Sequence, residues 1–167
     1  KTTKFKSNLE FKTREDYNLL ETKYIDATNY QVYGPELAYQ YGPLHIEAEY
    51  LRNSVSSEKE KNPNFSSWYA QANYTIFGGN KSYKLKDGKF GAPQGDKDAL
   101  QLGGRISHLN LNNKEIEGGE ATNYTLSLNY YINSQIKVAT NYIYSKSKKN
   151  EKERNLGFVA LRLQAIS

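Results

Sequence analysis

The stretch ATNYTLSLNYYINSQIKVATNY, residues 121–142, decides the fold. Side chains switch faces at every residue of a β-strand, so strict alternation is its signature. From Asn123 to Ile132, Tyr124, Leu126, Leu128, Tyr130 and Ile132 share one face. Asn123, Thr125, Ser127 and Asn129 share the other. After the short break at Asn133-Ser134 the pattern resumes, with Ile136, Val138, Thr140 and Tyr142 opposing Gln135, Lys137, Ala139 and Asn141. Two alternating runs across a tight Asn-Ser break read as a hairpin.

The same reading finds six more strands. They are Thr3–Lys12, Tyr30–Tyr41, Leu44–Arg52, Ser67–Phe77, Ala99–His108 and Leu156–Ile166. Eight strands result, each near the ~9–11 residues that a tilted membrane strand needs. No amphipathic helix competes for any of them. Tight breaks at Gly42-Pro43 and Asn133-Ser134 alternate with long polar connections over Arg14–Asn29, Asn53–Phe65, Asn110–Ala121 and Ser145–Asn155. Short periplasmic turns on one side and longer external loops on the other are the pattern of a bacterial barrel. Gly78–Asp98 departs from it, a long connection on the short-turn side.

Composition points the same way. The 167 residues have no stretch of 18 apolar side chains, which excludes a transmembrane helix. Mean hydropathy is −0.84, yet there are 15 Tyr, 6 Phe and one Trp. Low hydropathy with many aromatics suits a barrel, where only alternate residues meet lipid. A soluble β-barrel that binds a ligand would show the same alternation, with its polar face outward. There is no cysteine, hence no disulfide framework and no thiolate metal site. There is also no methionine, so the chain reads as a processed protein or a piece of a longer one, a single barrel domain over residues 1–167.

Ordered blocks of the sequence resemble the phosphate-selective porin O and P family. They are PEL at Pro35–Leu37, GPL and EAEY within Gly42–Tyr50, WYAQANY at Trp68–Tyr74, GGNKSY at Gly78–Tyr83, ALQLGGRIS at Ala99–Ser107, residues 121–136, and ALRLQ at Ala160–Gln164. The resemblance implies an antiparallel transmembrane β-barrel whose eight strands here are half of a sixteen-stranded wall. It implies an outer-membrane homotrimer, or a larger outer-membrane assembly, that passes small anions such as phosphate. It also accounts for the long Gly78–Asp98 turn. The chain departs from the family at its end, Ala165-Ile166-Ser167, where such barrels close on an aromatic.

Face parity assigns candidate roles. Lys4, Lys6, Lys12, Arg14, Arg105, Lys137 and Arg162 fall on the pore-lining side, against the acids Glu10, Glu36, Glu47 and Glu49. A cationic excess on a pore wall favours anions. These cations could instead pair with the acids across strands and fill the lumen. Tyr39, Tyr41, Tyr50, Trp68, Tyr74, Tyr130, Tyr142 and Tyr144 fall on the lipid side, as an interfacial aromatic girdle would. Lys146–Arg154 reads as a solvated loop, or as a surface meeting lipopolysaccharide phosphates. His45 and His108 fall on opposite faces, so they share no metal site.

Nothing suggests a catalytic pair, a cofactor, or the basic stripe of a nucleic-acid binder. Three membrane readings stay open: a porin, an outer-membrane anchor or scaffold without transport, and a small closed eight-stranded barrel. In the last, residues 1–12 would pair with residues 156–166.

Overall fold

Alternating apolar and polar residues over half the chain can satisfy their backbone groups only in ladders, and the computed structural model of the chain is built from them. It describes residues 2–4, 6–8, 18–59, 61–79, 81–84, 89–93, 98–113, 116–133 and 135–165. Among these there is no helix. The strands are β1 (Thr2–Thr3), β2 (Lys6–Asn8), β3 (Asn18–Glu21), β4 (Ile25–Asp26), β5 (Asn29–Tyr33), β6 (Glu36–Tyr41) and β7 (Leu44–Ser56). They continue with β8 (Asn64–Phe77), β9 (Lys81–Lys84), β10 (Lys89–Pro93), β11 (Ala99–Asn113), β12 (Ile116–Tyr131), β13 (Ile136–Lys149) and β14 (Lys152–Ala165).

One antiparallel sheet runs β14-β13-β12-β11-β8-β7, and both β5 and β6 pair with β7. β5 and β6 are a single expected strand in one register. Tyr33 lies opposite Arg52 and Glu36 opposite Glu49, with Gly34-Pro35 between them. Pro35 has no N–H to give a ladder. Its carbonyl still accepts from the Tyr50 N–H at 3.1 Å.

The tight turns are as expected. Gly42, with φ of +54°, sits at the first turn position that a two-residue hairpin gives to glycine. Asn133 holds the other turn: its side-chain oxygen accepts from the N–H groups of Gln135 and Ile136 at 2.8 and 2.9 Å.

The long connections differ from expectation. β7 runs on to Ser56 and β8 begins at Asn64; β11 and β12 are separated by residues 114–115 alone. β13 and β14 are joined by Asn150-Glu151, whose φ values of 48° and 62° make a two-residue left-handed turn. Most of the polar segments are thus strand. Beyond Tyr144 or Ile106 the outward face turns polar, with His108, Asn110 and Asn112 on β11 and Lys146 and Lys148 on β13, so outward apolar alternation stops while backbone pairing continues.

Arg14–Asn29 is likewise no simple loop, since β3 and β4 lie within it. Thr3 pairs with Ile25, and Ser7 with Leu20. The described parts of the first expected strand therefore fold back on β3 and β4. They do not reach β14, which pairs only with β13 among the described residues. The small closed eight-stranded barrel is not the arrangement found. In Gly78–Asp98, β9 and β10 form their own hairpin.

The two faces of the large sheet are inverted relative to a soluble protein. Leu126 is 56% exposed and Leu161 72%, while Thr125, Ser127 and Asn129 are half-buried and Gln101 is buried. Polar side chains shield one another and apolar ones project outward, as in a sheet curling around its polar face.

Candidate functional site

The polar face is the site. Cross-strand register sets Ala38, Glu47, Gln71, Arg105, Thr125, Ile143 and Phe158 in one row across it. Within that row Arg105 Nη1 donates to Gln71 Oε1 at 3.3 Å, and Gln71 Nε2 donates to the Glu47 carboxylate. The other Glu47 oxygen meets His45 Nε2 at 3.1 Å. The Arg105 guanidinium also lies 4.1 Å from the Tyr69 ring centroid, a cation–π contact. A buried histidine, a carboxylate, an amide and an arginine therefore form one chain across three strands.

Charge is segregated along this face. Glu36 and Glu49 stand directly opposite each other on β6 and β7, beside Glu47. Lys137 and Arg162 lie at the other flank on β13 and β14. There Lys137 is opposite Tyr131 and Gln164, and Arg162 is opposite Ala139. Lys137 Nζ lies 5.5 Å from the Tyr131 ring centroid. Cross-strand pairing of cations with acids thus describes Arg105, through Gln71, but not the β13–β14 cations. Further inward cations, Lys149, Lys152 and Arg154, line a pocket of about 400 Å³ with Leu20 and Glu21.

The polar face changes character at the end away from the tight turns. Val55, Phe65, Leu109, Leu111 and Ala121 make an apolar patch there, and Leu20, Ile25 and Ala27 cover it. Leu20 is 2% exposed and Ile25 1%. Gly119, at φ of +93°, permits the approach: a Cβ there would lie 2.7 Å from Leu20 Cδ2. Lys149 Nζ donates to the Glu21 carbonyl at 2.7 Å, and Lys4 pairs with the Glu21 carboxylate at 3.0 Å. Lys59, 2.9 Å from Asp26, holds that carboxyl below its usual value. Residues 18–27 are thus an infolded segment lying on the inner face of the wall.

The expected site residues distribute as follows. Arg105, Lys137 and Arg162 lie on the polar face of the large sheet. Lys4 sits instead on the infolded hairpin, against Glu21 and Tyr24. Of Lys6 only the backbone is described, opposite Glu21; Lys12 and Arg14 lie outside the described residues. Tyr39, Tyr41, Tyr50, Trp68, Tyr74, Tyr130 and Tyr142 are exposed on the apolar face, and Tyr144 is half-buried there. His45 and His108 do lie on opposite faces. Gln71 and Tyr69 were missed: parity places them inward, but only the register puts them beside Glu47 and Arg105. Among the described residues no three metal-ligating side chains come together.

A family model described as phosphate-selective porin O and P matches residues 1–166. Porin O of Pseudomonas aeruginosa is 27% identical over 153 residues, covering 81% of this chain and 35% of that protein. The chain therefore spans about a third of the length of this curated relative. No solved structure matches it.

Proposed function

The chain belongs to the phosphate-selective porin O and P family, and we propose that it builds part of the wall of a water-filled channel passing small anions. Its place is the outer membrane of Gram-negative bacteria. The observation that carries the reading is the inverted sheet. Leu126, Leu128, Val159, Leu161 and Leu163 are exposed on one face, and the opposite, polar face bears Arg105, Lys137 and Arg162. The apolar face meets lipid, with Tyr41, Tyr74 and Tyr130 near one border and Tyr50, Trp68 and Tyr144 near the other, where amphipathic rings prefer to sit. The polar face meets water. Its cationic flank on β13 and β14 lowers the barrier for anions and raises it for cations. Arg105 and Arg162 offer the planar fork that suits phosphate oxygens. The infolded segment narrows the lumen on the long-strand side.

The test is single-channel recording of the intact barrel that carries this chain, in planar bilayers under a salt gradient. Discrete steps with a reversal potential on the anion side are the expected result. Absence of ion-permeable steps refutes the channel in favour of an anchor, and a cation-side potential refutes the selectivity.

A further inference from the structure

The outward face above the apolar band carries a feature that diffusion does not use. Register sets Tyr50, Trp68, His108, Thr122, Lys146 and Asn155 in one row, on the lipid-facing side. The row directly below it, Leu37, Ala48, Ala70, Ile106, Tyr124, Tyr144 and Gly157, has no polar group other than two phenols. On β11, β12 and β13 the boundary between hydrocarbon and headgroups therefore falls between these rows, at Ile106/His108, Tyr124/Thr122 and Tyr144/Lys146; towards β7 and β5 it lies higher on the strands. At that boundary the polar row supplies donors and no carboxylate. His108 Nδ1 meets Thr122 Oγ1 at 2.9 Å, and the imidazole packs against Trp68 at 6.0 Å between centroids. Lys146 Nζ lies 5.6 Å from the Tyr144 ring centroid, its stem lying along the border aromatic.

A groove of about 390 Å³ opens among His108, Thr122, Lys146 and Asn155, and Glu120 and Glu153 close its outer side. Those two acids stand opposite Lys148, which also lines the groove, from both neighbouring strands, so Lys148 is held between two carboxylates and Lys146 is the cation left to a ligand. Lys146 has no such neighbour in its row. The polar run 146–154 thus splits by face. Lys146 and Lys148 point to the lipid side; Lys149, Lys152 and Arg154 point to the lumen.

We infer that this groove is a binding site for the phosphorylated headgroup of an outer-leaflet lipid, with Lys146 as its cation and His108, Thr122 and Asn155 as hydrogen-bonding partners. Three features favour a headgroup over a free anion. The site lies outside the barrel, it abuts the aromatic border where headgroups sit, and the apolar rows beneath it accept acyl chains.

The intact barrel, purified in zwitterionic detergent, is mixed with bis-phosphorylated lipid A and with its dephosphorylated form, and bound lipid is counted by native mass spectrometry. Preferential binding of the phosphorylated form is expected, weakened about fivefold by Lys146→Gln, the share of one surface lysine. Lys146→Arg should retain it, which separates lost charge from lost folding. Lys152→Gln, in the same polar run but on the lumen side, should leave binding unchanged. Equal loss with Lys152→Gln would reduce the effect to bulk charge and overturn the site. So would equal binding of the dephosphorylated lipid, or full displacement by excess inorganic phosphate. Channel conductance is read on the same variants, so failure here is distinguishable from failure of the channel.

Discussion

Removing the side chains that pin residues 18–27 should open the lumen. Leu20 and Ile25 are the anchors, almost wholly withdrawn from solvent against Val55, Phe65, Leu111 and Ala121. Leu20→Ala deletes three buried carbons, about 2.4 kcal/mol at roughly 0.8 kcal/mol each, before any cavity is counted. That shifts the balance between docked and released segment by about sixtyfold, since 1.4 kcal/mol is a factor of about ten. Adding Ile25→Ala roughly squares the factor, less what the two neighbours share. The polar ties are weaker: the Lys4–Glu21 pair is partly exposed, worth at most about 1 kcal/mol. The assay pairs conductance with chemistry. Thr22 is 2% exposed, so a Thr22→Cys thiol should react with a water-soluble thiosulfonate only when the segment lifts. In the Leu20→Ala background its labelling rate should rise about sixtyfold, and the double variant should show larger, noisier conductance steps. Unchanged labelling together with unchanged conductance would refute the infolded segment as a constriction.

Four further outcomes follow from particular contacts. Arg105→Gln should move the reversal potential toward cations by removing a guanidinium beside the acidic flank, and Glu47→Gln should move it the opposite way; identical potentials in both would sever that chain from selectivity. Leu128→Arg, at the centre of the apolar run of β12, should cost about 2–4 kcal/mol in reversible unfolding from lipid, whereas Asn129→Arg, one residue on, should cost far less. Glu151→Gly should stabilise the barrel by about 1 kcal/mol in the same assay, because Glu151 holds a φ of 62° that a side chain disfavours. Asp26 gives a pH dependence. Its folded pKa lies below its unfolded value, so the stabilising pair with Lys59 is present above the unfolded value and lost as pH falls through the folded one. Only the thiolate reacts, so labelling is read relative to a fully exposed cysteine at each pH; that ratio for Thr22→Cys should rise in acid, and Asp26→Asn should remove the rise.

What was legible in the sequence was the membrane band, and what was not was the strand. Tyr124 to Ile132 announces itself because lipid enforces apolar residues at every second position. Asn113, Glu117, Lys148 and Lys152 belong to the same ladders but face water on both sides, so no pattern marks them. Of the four segments read as loops, Asn110–Ala121 and Ser145–Asn155 are mostly wall for this reason, and Asn53–Phe65 is wall at its two ends. The infolded segment did leave a signal. Leu19, Leu20, Ile25 and Ala27 are apolar residues in a polar stretch, and a solvated loop gives no reason for them. The Arg105–Gln71–Glu47 chain left none. It depends on register between β7, β8 and β11, and a bulge opposite Leu100 and Gln101 shifts that register by one residue.

Register also separates a barrel wall from a flat sandwich sheet. The row Tyr41, Leu44, Tyr74, Leu102, Leu128, Thr140 and Leu161 runs along hydrogen bonds from β6 to β14. On β6 and β7 it is the lower border of the apolar face, since Gly42-Pro43 turns there. On β14 that face continues four residues further, to Ala165. At the upper border it ends at Val159 on β14 but reaches Tyr50 on β7 and Tyr33 on β5. The belt thus climbs four to six residues over six strand steps. At about 3.4 Å per residue and 4.8 Å per strand, that is a strand tilt of about 25–35°. A membrane belt must be level, so the strands must lean, as barrel strands do. Among the described residues, a leaning wall with one edge at β14 and the other at β5–β6 has unpaired backbone at both edges. Hydrocarbon does not tolerate that, so the wall requires further strands to pair with it. Cross-linking gives the direct check: a cysteine on the free edge of β14, at Leu161, should be captured by a strand from outside residues 18–165. Capture by β5 or β6 would instead mean that the described strands close by themselves.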